Sequence, residues 1–159
     1  MEAFKIGNFI RENPGSPPPK FVALKASEVG EFAEKLLTTS GQPKGTPEDL
    51  IRWLSAHADP VQGVNLDEGD MPLRKVFDRS GITPGPVLYV EWGSLRDIDR
   101  FETEELERLF YDVWYPGADD IEIFDDTLEW LMFVRHYGGV EIWRPLGAGI
   151  SAETGRGQG

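Results

Sequence analysis

The sequence predicts an α+β domain: an antiparallel sheet with a C-terminal β-meander, packed against helices. Three observations predict it. Apolar residues recur at helical spacing over residues 29–37 and again over 106–114. Residues 87–92 form a short apolar run that follows the break Gly81-Ile82-Thr83-Pro84-Gly85-Pro86. Residues 128–143 read as two β-prone runs joined by Gly138-Gly139, and glycine tolerates the positive φ of a tight hairpin turn.

The elements follow in order. Residues 4–10 carry Phe4, Ile6 and Ile10, a loose pattern that predicts a short strand. Residues 13–19, NPGSPPP, read as a stiff connector, with a peptide-recognition ligand as the alternative. Residues 21–24 are an extended run. Ser27 is the expected N-cap of a helix whose buried face is Val29, Phe32, Ala33, Leu36 and Leu37. Gly41 marks its exit. Thr46-Pro47-Glu48-Asp49 starts a second helix: Thr46 caps, Pro47 sits where a missing N–H costs nothing, and the acids suit the positive end of the helix dipole. This helix should end near residues 57–60. Leu73, Val76 and Phe77 predict a short helix with Asp70 as its cap.

The second half is more regular. Residues 87–92 predict a strand, and Gly93 and Ser94 turn the chain. Residues 103–114 predict one helix, with Leu106, Leu109, Phe110, Val113 and Trp114 inward and Glu104, Glu105, Glu107 and Arg108 in water. Pro116-Gly117 ends it. Ile121, Ile123 and Phe124 belong to the next strand, and Asp125-Asp126-Thr127 turns the chain. Residues 128–136 follow as a strand with Trp130, Met132 and Val134 on one face, and residues 140–143 return. The order β, α, β, β, β implies a meander with the helix on one face. No long polar linker divides the chain, so residues 1–146 are expected to form one domain and 147–159 a flexible tail.

Composition narrows the function. The chain has 159 residues and no cysteine, enough length to bury about 70% of its extended surface without a metal or disulfide. The missing cysteines exclude a disulfide scaffold, an iron–sulfur centre, a Cys-type zinc finger and a cysteine nucleophile. The formal net charge is −12, which argues against nucleic acid or an anionic membrane as partner. The start, MEAFKIGNFIR, is too interrupted for a signal peptide, and no apolar run is long enough to span a bilayer. A cytoplasmic location is the expectation.

The charge is also localised. Residues 91–130 carry 14 acidic and 3 basic side chains, a net of −11, together with Trp92, Trp114 and Trp130. Acids mixed with large aromatics read as folded structure with one negative surface. The expected binding surface is Glu91, Trp92, Asp97, Asp99, Glu104, Asp112, Trp114, Tyr115, Asp119, Asp120, Glu122, Asp125 and Asp126. Such a surface steers and anchors a basic protein.

Other chemistries are weighed against it. Asp119, Asp120, Glu122, Asp125 and Asp126 suggest a hard-cation site, but the calcium-loop pattern is absent and Glu122 alternates with Ile121 and Ile123, which places it on the solvent face of a strand. An exposed acidic rim is the simpler reading, and no metal or cofactor is expected. His57 and His136 belong to no metalloprotease pattern; His57 complements a helix C-terminus and His136 finishes a strand. No serine sits in a nucleophile elbow, and no glycine-rich phosphate loop is present. No catalytic residue is assigned.

Residues 119–144, DDIEIFDDTLEWLMFVRHYGGVEIWR, carry a further pattern. Its landmarks are Ile123-Phe124-Asp125, Trp130, His136, Gly138-Gly139 and the final run 140–143. In these it resembles the C-terminal meander of small bacterial immunity-type proteins and of uncharacterised cytoplasmic proteins. The resemblance implies a compact partner-binding protein that neutralises a toxin, and it carries over no catalytic residue. The leading expectation is therefore an acidic protein that occludes a cationic toxin or nuclease. An Asp/Glu-dependent hydrolase with or without a divalent metal, a DNA-mimic inhibitor, and a soluble domain without a catalytic role are the alternatives.

Overall fold

The computed structural model describes residues 1–42 and 45–147. The elements in chain order are α1 (Ala3–Glu12), β1 (Val22–Ala23), α2 (Ala26–Ser40), α3 (Pro47–Ala56), β2 (Asp59–Pro60), α4 (Leu73–Ser80), β3 (Val87–Glu91), β4 (Ile98–Glu102), α5 (Thr103–Arg108), α6 (Phe110–Val113), β5 (Ile121–Phe124), β6 (Leu131–Val134) and β7 (Val140–Trp143). The strands form a seven-stranded sheet in the order β1-β4-β3-β5-β6-β7-β2, with every neighbouring pair antiparallel. The fold is α+β, with β5-β6-β7 as the expected C-terminal meander. Among the described residues no helix is long and apolar enough to cross a membrane. The expected tail lies outside the described residues except for Gly147.

The sheet is covered on both faces, not on one. Residues of α4, α5 and α6 pack with Leu88, Val90, Phe101, Ile121, Ile123, Trp130, Met132 and Val134 on the first face. Residues of α2 and α3 pack with Tyr89, Ile98, Phe124, Leu131, Phe133 and Trp143 on the second. The inward alternation of Trp130, Met132 and Val134 holds, yet Leu131 and Phe133 are equally buried between them. A strand buried on both faces is apolar at every position, so alternation alone reports only half of its packing.

Several local expectations change. Residues 3–12 form a helix rather than a strand. Its inward residues are Lys5 and Phe9, one helical turn apart, while Phe4 is 54% and Ile10 53% exposed. The apparent alternation therefore combined outward side chains. The N-cap of α2 is Lys25, not Ser27, and the Glu28 carboxylate accepts the Lys25 N–H at 2.7 Å. Pro72, not Asp70, precedes α4. The strand β4 has no clear apolar pattern because its central residues are Asp99 and Arg100. The single helix expected over 103–114 is broken at Leu109, whose φ is −115°. Its apolar stripe stays buried. Glu107 turns inward, with Oε2 accepting from Arg74 at 3.0 and 3.3 Å. The start of α3 matches its sequence: Thr46 accepts the Asp49 N–H at 3.2 Å, and Pro47 opens the helix.

A candidate cation-binding cleft

One end of the first face opens into a cleft of about 620 Å³, lined by Met1, Glu2, Ala23, Leu24, Trp92, Asp97, Ile98, Asp99, Ala118, Asp119 and Asp120. Strand alternation builds its floor. The Trp92 N–H donates to the Asp97 carbonyl at 3.0 Å, extending the β3–β4 ladder by one pair. Asp97 and Asp99 are two residues apart, so they share a face, and Trp92 stands opposite Asp97 on that face. The loop leading from Pro116 to β5 supplies Asp119 and Asp120 from the other side.

Much of this acid is engaged by the chain itself. Asp99 Oδ2 accepts from the Trp92 indole N–H at 2.8 Å and from the Met1 ammonium group. Asp119 Oδ2 accepts the Tyr115 N–H at 2.8 Å and a hydrogen bond from Lys5 Nζ. Lys5 is only 1% exposed. Its ammonium group also donates to the Val113 carbonyl at 2.8 Å and lies 4.4 Å from the Trp92 ring centroid and 4.7 Å from that of Tyr115. A desolvated cation–π contact is worth about 2 kcal/mol, so Lys5 fixes the Trp92 and Tyr115 rings. Asp120 Oδ1 accepts the His136 N–H at 2.8 Å. Among the described residues the Glu2 and Asp97 carboxylates, both exposed, make no hydrogen bond.

Beside the cleft, on the second face, two carboxyl groups are sealed in the interior. Glu91 on β3 pairs directly with Glu122 on β5, and they are 0% and 5% exposed. Glu91 Oε1 accepts the N–H of Gly93 at 2.7 Å and of Leu95 at 2.8 Å. These bonds brace a hairpin loop in which Ser94 and Leu95 hold φ of 59° and 54°, a left-handed conformation costly for any residue with a Cβ. Burial, reinforced by Glu91, lifts the Glu122 pKa to about 10. Glu91 Oε2 and Glu122 Oε2 are buried without a hydrogen-bond partner, and a proton retained on Glu122 gives its carboxyl group a donor to offer Glu91. Glu91 thus pins the loop, and Glu122 is the neighbouring carboxyl group that burial holds in its protonated form.

The residues expected to form one binding surface divide accordingly. Trp92, Asp97, Asp99, Asp119 and Asp120 line the cleft, and Tyr115 lies behind it against the Lys5 ammonium group. Glu91, Trp114, Glu122 and Asp125 lie in the interior, which corrects their placement on an exposed surface. Glu122 faces neither solvent nor a rim, because α2 and α3 cover the face it was expected to expose. Trp114 is buried, with its Nε1–H donating to the Asp119 carbonyl at 2.8 Å. Asp125 accepts from Gly85 N–H at 3.1 Å and Thr127 N–H at 3.0 Å, tying the turn to the segment before β3. Asp126 is exposed and accepts from the Tyr89 hydroxyl at 2.7 Å. Glu104 is exposed away from the cleft, and Asp112 is half-buried on α6, where burial and then Glu12 raise its pKa.

Glu2 and Lys5 are not legible as site residues in the sequence, because the pattern of residues 4–10 predicts a strand and the cage of Lys5 depends on contacts more than a hundred residues away. Among the described residues no group of three or more His, Asp or Glu side chains has a geometry that holds a metal ion. His57 Nδ1 lies 2.8 Å from the Trp53 carbonyl and its ring stacks on Trp53, as expected at a helix C-terminus. In comparison with known proteins, the chain matches no family model, no curated protein and no solved structure. The likeness of residues 119–144 to immunity-type meanders therefore rests on its landmark residues alone.

Proposed function

We propose that this domain is a binding module without a catalytic role, and that its cleft receives a cationic segment of a partner protein. The composition of the cleft carries the reading. Glu2, Asp97 and Asp120 reach solvent beside the half-buried Trp92 ring, while the ammonium groups of Met1 and Lys5 at its base are already held by Asp99 and Asp119. Negative charge is left facing outward next to an aromatic surface, an arrangement that attracts Lys or Arg side chains.

A hydrolytic role needs two accessible carboxyl groups converging on a substrate, one of them holding its proton. The proton-holding carboxyl group here, Glu122, is buried beside Glu91 and out of reach of any substrate, and Asp99 and Asp119 are committed to internal bonds. Both features favour binding over catalysis. A basic protein suits the cleft, and the immunity-type resemblance makes a toxin or nuclease the concrete form of that partner.

Titration with octalysine, followed by tryptophan fluorescence at low and moderate salt, tests the reading. Saturable binding that weakens with salt is expected. Asp97→Asn combined with Asp120→Asn should weaken it about fivefold, since two exposed ion pairs at ~0.5 kcal/mol each sum to ~1 kcal/mol. No saturable binding, or binding indifferent to both substitutions, overturns the proposal.

A further inference from the structure

The sheet has two edges, and they are managed differently. At the β2 edge, Pro60 has no N–H to offer. At the β1 edge neither Val22 nor Ala23 is a proline, and the open stretch is short: Pro17-Pro18-Pro19 lies upstream, and the Lys25 N–H is taken by the Glu28 carboxylate. The Leu24 N–H donates to the Ile98 carbonyl at 2.9 Å, so Leu24 and, two residues back, Val22 turn their backbone groups toward β4. Ala23 lies between them opposite Asp99. By alternation its N–H and C=O point away from the sheet, along the rim of the cleft that its side chain lines. Val22, on the opposite face, is 57% exposed.

We infer that the partner binds as an extended strand added antiparallel to β1, with alternating cationic and apolar residues. This inference rests on the cation-binding reading of the cleft. An added residue opposite Ala23 exchanges both backbone hydrogen bonds with it and projects its side chain to the same face as Ala23 and Asp99. A Lys or Arg there enters the cleft toward Asp97. Its two neighbours project to the other face, where apolar side chains cover Val22. A second copy of this chain does not suit the edge, because pairing two β1 strands would bring two acidic clefts together. Strand addition supplies affinity through the main chain and specificity through alternate side chains.

Decapeptides of alternating Lys and Val test this. One is unmodified, one is N-methylated at the Lys amides, and one is N-methylated at the Val amides. The Lys amides face β1 in the antiparallel register, so methylation there should weaken binding at least tenfold, while methylation at Val should change it less than threefold. Ala23→Pro, which removes the outward N–H, should reproduce the tenfold loss, and the methylated peptides carry the test if that variant misfolds. Binding of all three peptides with equal affinity, or loss on Val methylation instead, overturns strand addition while leaving the cleft reading intact. No binding of the unmodified peptide overturns strand addition, and failure of octalysine as well overturns the cleft reading. A dimer in analytical ultracentrifugation that Ala23→Pro dissolves and the peptide does not displace also overturns the inference.

Discussion

The Glu91–Glu122 pair has a direct thermodynamic signature. The Glu122 pKa is about 10 in the folded chain against an ordinary value of 4.5. A carboxyl group raised on folding contributes its stability fully below the unfolded value, and that contribution is lost as pH rises toward the folded one. Between these limits the folded state holds one proton more than the unfolded state, so stability falls by about 1.4 kcal/mol per pH unit. From pH 6 to pH 8 the loss is about 3 kcal/mol, a large share of a typical domain's ~5–15 kcal/mol. Glu122→Gln keeps a donor toward Glu91 Oε2 and removes the titration. Urea unfolding followed by tryptophan fluorescence at pH 5, 6, 7 and 8 measures the difference between the two proteins. The variant should match the wild type near pH 4.5 and exceed it by about 3 kcal/mol at pH 7. A variant that is less stable at every pH, with the wild-type slope unchanged, would refute the proton held on Glu122.

Three further outcomes follow from named contacts. Glu91→Ala leaves the Gly93 and Leu95 amides without their acceptor and should cost about 2–3 kcal/mol in chemical denaturation; it should also weaken octalysine binding, because the loop it releases positions Asp97. Lys5→Met removes the cation that Asp119 holds and should cost about 3 kcal/mol, as breaking buried ion pairs does; near-UV circular dichroism should report the loosened Trp92 and Tyr115 rings. Thr46→Ala removes the cap of α3 and should cost about 1 kcal/mol in thermal unfolding, with octalysine binding unchanged.

The parts legible in the sequence were those with local causes. The α3 start, the Gly41 exit of α2 and the hairpin at Gly138 depend on capping and positive φ within a few residues, so residue identity alone specifies them. The meander was legible because β5, β6 and β7 are apolar and joined by short turns. The strand β4 was hidden because Asp99 and Arg100 occupy its centre, and Asp99 is tolerated inside only through the Met1 and Trp92 donors. Concentrated charge at 91–130 pointed toward the cleft through Trp92, Asp97, Asp99, Asp119 and Asp120. It misplaced Glu91, Glu122 and Asp125, since a buried carboxyl group and an exposed one have the same letter. Their burial is set by cross-strand pairing and by helices α2 and α3 closing the second face, both of which are long-range facts.

On the proposed function, a cationic segment enters the cleft between Trp92 and the 118–120 loop. Backbone and indole amide shifts in a 15N-labelled sample titrated with the alternating Lys–Val peptide test it most directly. Saturable shifts are expected at the Trp92 indole N–H, at residues 22–24 and 97–99, and at residues 118–120. Saturable shifts confined to another acidic region, such as the Glu31 and Glu34 face of α2, or no saturable shifts at all, would contradict it.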